Sequence, residues 1–112
     1  MSTTLSYSIK FVANMDKAVL FYRDVVGLTL KFSSPEWTEF ATGETSLALH
    51  ISSELNPPGG VQLGFWVPDI QAAYEEMQAK GVTFTQPPTE LHGQKLARFL
   101  DADDSECSLS GN

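Results

Sequence analysis

Few side chains in this sequence are of a type that carries out acid–base, nucleophilic or metal chemistry. The 112 residues contain two histidines, His50 and His92, and one cysteine, Cys107. Cys107 has no histidine or basic residue near it in the sequence, which argues against an activated nucleophile. His92 lies in a polar segment, residues 89–94, that we interpret as a surface loop before a strand. The sequence contains neither a phosphate-binding glycine loop nor a dinucleotide fingerprint, so nucleotide chemistry is not indicated.

The balance of charged residues limits the partners that we expect. The sequence has 14 acidic and 7 basic residues, which give a formal net charge of −7 at pH 7. Such a surface repels phosphate backbones, so nucleic acid is not an expected partner. It attracts cationic ligands, although an acidic surface also serves solubility alone.

The sequence also bears on location. No apolar run approaches the length of a membrane span, and the N-terminal residues lack the pattern of a signal peptide. A single cysteine cannot form an internal disulfide. We therefore expect a cytoplasmic protein that has no membrane partner.

The chain reads as two similar halves. Residues 12–15 (VANM) resemble residues 67–70 (VPDI), about 55 positions later, and residues 27–30 (GLTL) resemble residues 81–84 (GVTF), about 54 positions later. One single-residue gap between the paired segments reconciles the two offsets. Because such self-similarity is the mark of a repeated structural unit, we expect the halves to share one fold.

Each pair of matching segments brackets a predicted helix. Apolar residues spaced by three and four positions make one stripe on each helix. Asn14 and Asp69 are suited to cap the helix starts, and Gly27 and Gly81 to end the helices in the left-handed conformation. The stripes consist of Met15, Ala18, Val19, Tyr22, Val25 and Val26 in the first helix, and Ile70, Ala73, Tyr74 and Met77 in the second.

Strand-like segments flank both helices. Gly43-Glu44 and Asp103-Asp104 mark tight turns between strands, and a Pro/Gly-rich stretch joins the halves. The pattern predicts strand, helix and three strands twice over, in residues 5–52 and 61–110 joined by a linker at 53–60. The predicted strands are residues 7–12, 29–32, 37–41 and 46–51 in the first half, and 61–67, 82–85, 95–100 and 106–109 in the second.

Three segments carry a resemblance to a known family. Residues 14–28 (NMDKAVLFYRDVVGL) hold a helix that contains Phe-Tyr before Val-Gly, and residues 67–73 repeat its beginning. Residues 99–105 (FLDADDS) resemble an F-x-D-P-D-G-N turn in which Ala102 replaces the proline and Asp104 the glycine. Together they resemble the vicinal-oxygen-chelate superfamily, which includes glyoxalase I, bleomycin-resistance proteins and extradiol dioxygenases. The resemblance implies one glyoxalase-like domain over residues 1–112. Its fold would be α+β, with two βαβββ units forming a U-shaped mixed sheet, helices outside and a ligand cavity inside.

The resemblance also implies where a divalent metal would bind. Enzymes of the family take their ligands from the first and last strands of each unit. The matching positions are Tyr7, Gln62, Ser108 and His50, or Ala48 in place of His50 if the alignment slips by two. His50 and Gln62 are possible ligands, whereas a neutral phenol and a serine hydroxyl are poor ones.

We therefore predict that the protein has no metal cofactor. The alternative is a Zn, Ni, Mn or Fe site that uses His50, Gln62 and Glu106, since Glu106 lies two residues before Ser108 on the same strand face. His50 is otherwise interpreted as a residue that lines the cavity or contacts a second subunit, and Gln62 as a polar residue of the cavity.

Aromatic residues supply the remaining candidates for ligand binding. On the strand at 61–67, Gln62, Gly64 and Trp66 share one face, and the alternating apolar residues share the other, which suits packing under a helix. We expect the first set to line the cavity together with Tyr7, His50, and Trp37 or Phe40, although aromatics at such positions also serve as core or interface residues. Lys10 falls on a face that the alignment places under the first helix, and a bulge or an exposed edge would account for it.

These features favour a metal-free small-molecule binding protein that resembles the bleomycin-resistance proteins. The expected ligand is aromatic and cationic, and short units with unpaired sheet edges predict a homodimer. The alternative function is a divalent-metal-dependent lyase, isomerase or dioxygenase of the glyoxalase type. A structural or regulatory module without a ligand is the third possibility.

Overall fold

The computed structural model describes residues 2–112. These residues form the order strand, helix and three strands twice, which confirms the predicted α+β class and its two βαβββ units. Neither helix in this part of the chain is long and apolar enough to cross a membrane. The elements are β1 (Thr4–Val12), α1 (Met15–Leu20), β2 (Thr29–Ser33), β3 (Trp37–Ala41), β4 (Ser46–Ile51), β5 (Val61–Val67), α2 (Ile70–Ala79), β6 (Phe84–Leu91), β7 (Gln94–Leu100) and β8 (Glu106–Gly111).

The chain divides into two compact units. The N-terminal unit comprises residues 6–61, and the C-terminal unit comprises residues 62–112 with the first residues of the chain up to Leu5. The strand order is β2-β3-β4-β1 in the first and β6-β7-β8-β5 in the second. In each unit the first and last strands pair in parallel and the remaining pairs are antiparallel, so the sheet is mixed. Equivalent elements therefore occupy equivalent places, as the repeat predicted.

The helix caps form as the sequence indicates. The Asn14 side chain accepts a hydrogen bond from the Lys17 backbone N–H at 3.0 Å, and Asp69 accepts one from the Ala72 N–H at 3.1 Å. Gly27 and Gly81 have φ of 89° and 92°, which a residue with a Cβ rarely adopts. The two helices therefore begin and end at equivalent residues.

The first helix departs from the regular α-helix that its stripe predicts. After α1 the chain continues as a π-helical turn over Phe21–Val25, in which the Val26 N–H donates to the Phe21 carbonyl at 3.0 Å. A π-turn accommodates one residue more than the α-helix around it. The segment between the matching motifs is one residue longer in the first half than in the second, so the gap in the repeat corresponds to this turn.

One face of each half-sheet is covered by the helix of its own unit. In both units, buried side chains from the helix and the strands form an apolar core on that face, as the stripes predict. The cores consist of Val12, Met15, Val19, Phe40 and Leu49 in the N-terminal unit, and of Val67, Ile70, Ala73, Ala97 and Leu109 in the C-terminal unit. The opposite side of each half-sheet is called here its helix-free face.

Two local features differ from the sequence-based expectation. Strand β6 is longer than predicted, because His92 and Gly93 have positive φ and form a two-residue turn that pairs Leu91 with Gln94. His92 therefore lies at a hairpin tip. Lys10 is half-buried, and the register of β1 against β4 is continuous around it, so no bulge accounts for its position.

Candidate functional site

The helix-free face of the N-terminal unit holds three of the six predicted ligand-binding residues, Tyr7, Trp37 and His50. Side chains alternate between the two faces of a strand, so Tyr7 and Phe11 share this face on β1. Trp37 and His50 lie on β3 and β4 as direct partners in the antiparallel register. Phe11, which the sequence reasoning did not name, is the direct partner of His50 across β1 and β4.

These four aromatic side chains contact one another. The ring centroids of Tyr7 and Trp37 are 5.7 Å apart at an interplanar angle of 78°, and those of Trp37 and His50 are 5.9 Å apart at 83°. The rings of Phe11 and His50 are 5.5 Å apart. Such edge-to-face arrangements are favourable for aromatic pairs. Tyr7 and Trp37 are partly buried and pack against the buried cluster of Ile9, Phe11 and Ala48.

Backbone and side-chain hydrogen bonds hold two of these rings in place. The Phe11 carbonyl accepts from the Gly59 N–H, and the Phe11 N–H donates to the Gly60 carbonyl, both at 2.9 Å. His50 Nδ1 lies 2.7 Å from the Ile51 carbonyl oxygen, an acceptor, so Nδ1 carries the proton of this contact. The Nε2 atom of a neutral His50 then remains an acceptor.

A buried carboxylate lies on the same face. Glu39 is only 5% exposed and is the one charged residue among the buried residues of positions 2–112. Burial, together with the hydrogen bond to Glu39 and the negative charge of that residue, raises the pKa of Tyr7 to about 12. The Tyr7 phenol is therefore a neutral donor to the carboxylate. The sequence reasoning did not name Glu39, although its position two residues after Trp37 on one strand was a signal for a shared face.

Phe40 does not join this group. It is fully buried and packs on the opposite side of the sheet in the core beneath α1, with its ring centroid 6.1 Å from that of Tyr22. Because Trp37 and Phe40 are three positions apart on one strand, their side chains point to opposite faces. Of these two residues, only Trp37 lies on the helix-free face.

The C-terminal unit brings Gln62 and Glu106 together on its own helix-free face. The Gln62 Nε2 donates to one carboxylate oxygen of Glu106 at 3.1 Å, and the Thr85 hydroxyl donates to the other at 2.8 Å. Trp66 lies on the same strand face as Gln62 and is 38% exposed. This face is polar, with one exposed indole.

The strand registers decide between the two alignments of the implied metal ligands. Ser108 is paired with Gly64, the residue two after Gln62, and Ala48 is paired with Ile9, the residue two after Tyr7. Ala48 is thus the equivalent of Ser108, whereas His50 lies one step further along its strand face. The equivalent positions in the two units are Tyr7 with Gln62 and Ala48 with Ser108.

These residues do not fit a divalent metal. The Ala48 side chain is fully buried and has no atom that can coordinate a metal. Tyr7 is a neutral phenol whose hydroxyl is hydrogen-bonded to Glu39. Divalent metals in proteins need several imidazole, thiolate or carboxylate ligands at once. Among residues 2–112, no three side chains of His, Cys, Asp or Glu are grouped so that they could hold an ion.

Cys107 offers no alternative nucleophile. It is buried, and desolvation together with the negative charges of Asp101 and Glu106 raises its thiol pKa. A thiol held in its protonated form is a poor nucleophile. This agrees with the interpretation of its sequence surroundings.

Comparison with known proteins identifies the family of this chain. The model of the Glyoxalase/Bleomycin resistance protein/Dioxygenase superfamily matches residues 4–106. The chain belongs to this superfamily. The search of curated proteins found no match.

Solved structures with the same fold are numerous but distant in sequence. A superfamily member from Vibrio splendidus 12B01 is 16% identical with a TM-score of 0.73, covering 99% of this chain and 100% of that one. A methylmalonyl-CoA epimerase variant from Streptomyces coelicolor, in complex with 2-nitronate-propionyl-CoA, is 16% identical with a TM-score of 0.82, covering 100% and 96%. An NAD-dependent benzaldehyde dehydrogenase from Legionella pneumophila is 20% identical with a TM-score of 0.78, covering 98% of each chain. At these identities the likeness shows the fold alone.

The Tyr7–Glu39 contact predicts an unusual alkaline titration. The absorbance of phenolate should show one of the three tyrosines ionising at about pH 12, and Tyr7→Phe should remove that component. Because the folded pKa lies above the ordinary value of 10.0, the stabilisation from Tyr7 is complete below pH 10 and is lost as the pH rises towards 12. Glu39→Gln should shift this ionisation to lower pH.

The control is Tyr74→Phe, which removes a phenol from α2 and should leave the component near pH 12 in place. A titration of Tyr7→Phe that matches the wild type, or a Glu39→Gln protein with an unchanged component, would show that the phenol and the carboxylate do not interact.

Proposed function

We propose that this chain is a metal-free protein that binds a small molecule, and that it resembles the bleomycin-resistance proteins of its superfamily in this respect. The supporting observation is the aromatic group formed by Tyr7, Phe11, Trp37 and His50 on the helix-free face of the N-terminal unit, the face that also holds buried Glu39. Without a metal, affinity must come from burial, stacking and a few polar contacts. This aromatic group provides the first two, and Trp66 adds an exposed ring in the C-terminal unit.

The alternative of a metal-dependent lyase, isomerase or dioxygenase has weaker support. It requires His50, Gln62 and Glu106 as ligands, yet both oxygens of Glu106 already accept hydrogen bonds from Gln62 and Thr85. His50 has one ring nitrogen engaged with the backbone. The fold likeness to methylmalonyl-CoA epimerase does not change this, since one fold supports many functions.

We also propose that the protein is a cytoplasmic homodimer. In the strand order of each unit, an outer strand, β2 or β6, has a partner on one side only. Several large apolar side chains are exposed, among them Phe32 at 50% and Val25 at 72%. Unpaired edges and exposed apolar surface favour association with a second copy.

Substitution of the two tryptophans tests the ligand site. Acridine, a planar and neutral probe near neutral pH, should bind the wild-type protein in calorimetry. Trp37→Leu should weaken this binding on the order of tenfold, because a stacking surface is lost, and Trp66→Ala tests the ring of the C-terminal unit in the same way. Phe21→Leu, which shortens an exposed aromatic residue of the π-helical turn, is the matched control and should bind as the wild type does. Equal affinities in all four proteins would contradict an aromatic binding site.

Elemental analysis tests the absence of a metal. The purified protein should contain no stoichiometric zinc, nickel, manganese or iron, because the implied ligand positions hold Tyr7, Ala48 and Ser108. About one metal ion per wild-type chain, lost in His50→Ala, would instead support the enzyme alternative.

Light scattering tests the dimer. We expect a mass of twice 12.3 kDa at micromolar concentrations, and Val25→Lys compared with Val25→Ala shows whether the apolar surface at the end of the first helix takes part. A mass of one chain over the whole concentration range would rule the dimer out.

A further inference from the structure

Glu39 is a buried acidic residue on the helix-free face of the N-terminal unit. The ion pairs formed by residues 2–112 are Arg23–Asp24 and Lys80–Glu76, so no cationic side chain pairs with Glu39. Burying a carboxylate that lacks a cationic partner is costly, since the dehydrated charge must be compensated by hydrogen bonds. Among side chains, the compensating hydrogen bond comes from the neutral Tyr7 phenol. A carboxylate has two oxygens and about four acceptor positions, so one phenol leaves most of its capacity unused.

The titratable groups on or near the Glu39 face form no ion pair with Glu39. Three titratable side chains lie near this face on other strands: Tyr7 on β1, Lys31 on β2 and His50 on β4. Tyr7 is neutral, His50 directs Nδ1 to a backbone carbonyl, and the Lys31 ammonium donates to the Ser46 hydroxyl at 3.3 Å. The remaining neighbours are aromatic rings, whose faces attract cations rather than anions.

We propose that the Glu39 carboxylate binds the cationic nitrogen of the ligand, so that the ligand is a planar aromatic molecule with an ammonium, amidinium or protonated ring nitrogen. This inference rests on the proposed function and specifies its ligand class. The carboxylate supplies a charge-assisted hydrogen bond to the nitrogen, which is stronger than a neutral one. The rings of Tyr7 and Trp37 supply stacking and cation–π contacts to the rest of the molecule.

Tyr7 has a defined part in this arrangement. In the unliganded protein its hydroxyl donates to the carboxylate that the ligand nitrogen would use. The hydroxyl therefore competes with the ligand, and its removal leaves the carboxylate with fewer donors and a greater gain from binding a cation. The phenol thus limits the affinity for a cation while it holds Glu39 in the absence of ligand.

The test compares two probes that share one ring system, 9-aminoacridine, a cation near neutral pH, and acridine, which is neutral there. Calorimetry measures the affinity of both for the wild type, Glu39→Gln, Tyr7→Phe and Glu36→Gln. Glu39→Gln keeps the shape of the side chain and an oxygen that accepts from Tyr7. We expect it to weaken 9-aminoacridine binding on the order of tenfold or more and to leave acridine within about twofold.

The other two variants separate the site from its surroundings. Tyr7→Phe should strengthen 9-aminoacridine binding severalfold, and it decides the question if Glu39→Gln does not fold. Glu36→Gln removes an equal charge from an exposed position just before the same strand, and it should bind both probes as the wild type does. Because the Glu39 contribution is buried, the difference between wild type and Glu39→Gln should persist at high salt, whereas attraction by the acidic surface should not.

Each remaining outcome has one meaning. If Glu39→Gln binds both probes as tightly as the wild type, the inference is wrong and the proposed function stands. If Glu39→Gln loses both probes equally, or Tyr7→Phe weakens the cation and the neutral probe alike, the pair is structural and the inference is also wrong. If the wild type binds neither probe, the proposed function fails and the inference fails with it.

Discussion

The alternation of side chains between the two faces of a strand is the constraint on which the rest of this structure depends. In each unit one helix covers one face, so most residues on that face of the strands are apolar and fit the core. On β3 this rule assigns Thr38 and Phe40 to the core beneath α1 and leaves Trp37 and Glu39 on the helix-free face. The candidate site is therefore formed by residues whose side chains do not pack against the helix.

The same constraint explains how much of the fold the sequence could predict. The spacing of apolar residues, and the Gly, Pro, Asn and Asp residues at the ends of elements, predict both helices, their caps and the order of the strands. The structure has these features in the predicted order. The π-helical turn was not predicted, because the apolar stripe of the first helix fits a regular α-helix to within one residue. The sequence did carry a signal for the π-turn, because the two repeat offsets differ by one residue. The matching motifs at both ends of the helices are equivalent, so the extra residue of the first half must lie within the helix. Strand β6 was predicted too short; it includes Pro87 and Pro88, which an outer strand tolerates.

The candidate site could be predicted only in part. Tyr7, Trp37 and His50 come together because they lie on neighbouring strands and their side chains point to the same face. Phe40 lies three positions after Trp37 on one strand, so its side chain points to the opposite face, and alternation alone could have excluded it. Glu39 was missed for a different reason. A lone carboxylate in a sequence reads as a solvated residue, and burial of a charge depends on the strands that surround it, which a single sequence does not specify. The pairing of Gln62 with Glu106 likewise depends on the register of β5 against β8.

The two units share their cores but not the chemistry of their helix-free faces. Register makes Glu39, paired with Ala48, the equivalent of Arg98, paired with Ser108. The N-terminal face is thus aromatic with a buried anion, and the C-terminal face is polar with an exposed cation. Substitutions on these faces leave the helix-covered cores unchanged, although on the N-terminal face Ile9, Phe11 and Ala48 form a buried apolar cluster of their own. This is why Tyr7, Ala48 and Ser108 can occupy the ligand positions of metal-binding relatives in a chain that retains the superfamily fold, and why the function must be argued from the residues on each face rather than from the fold.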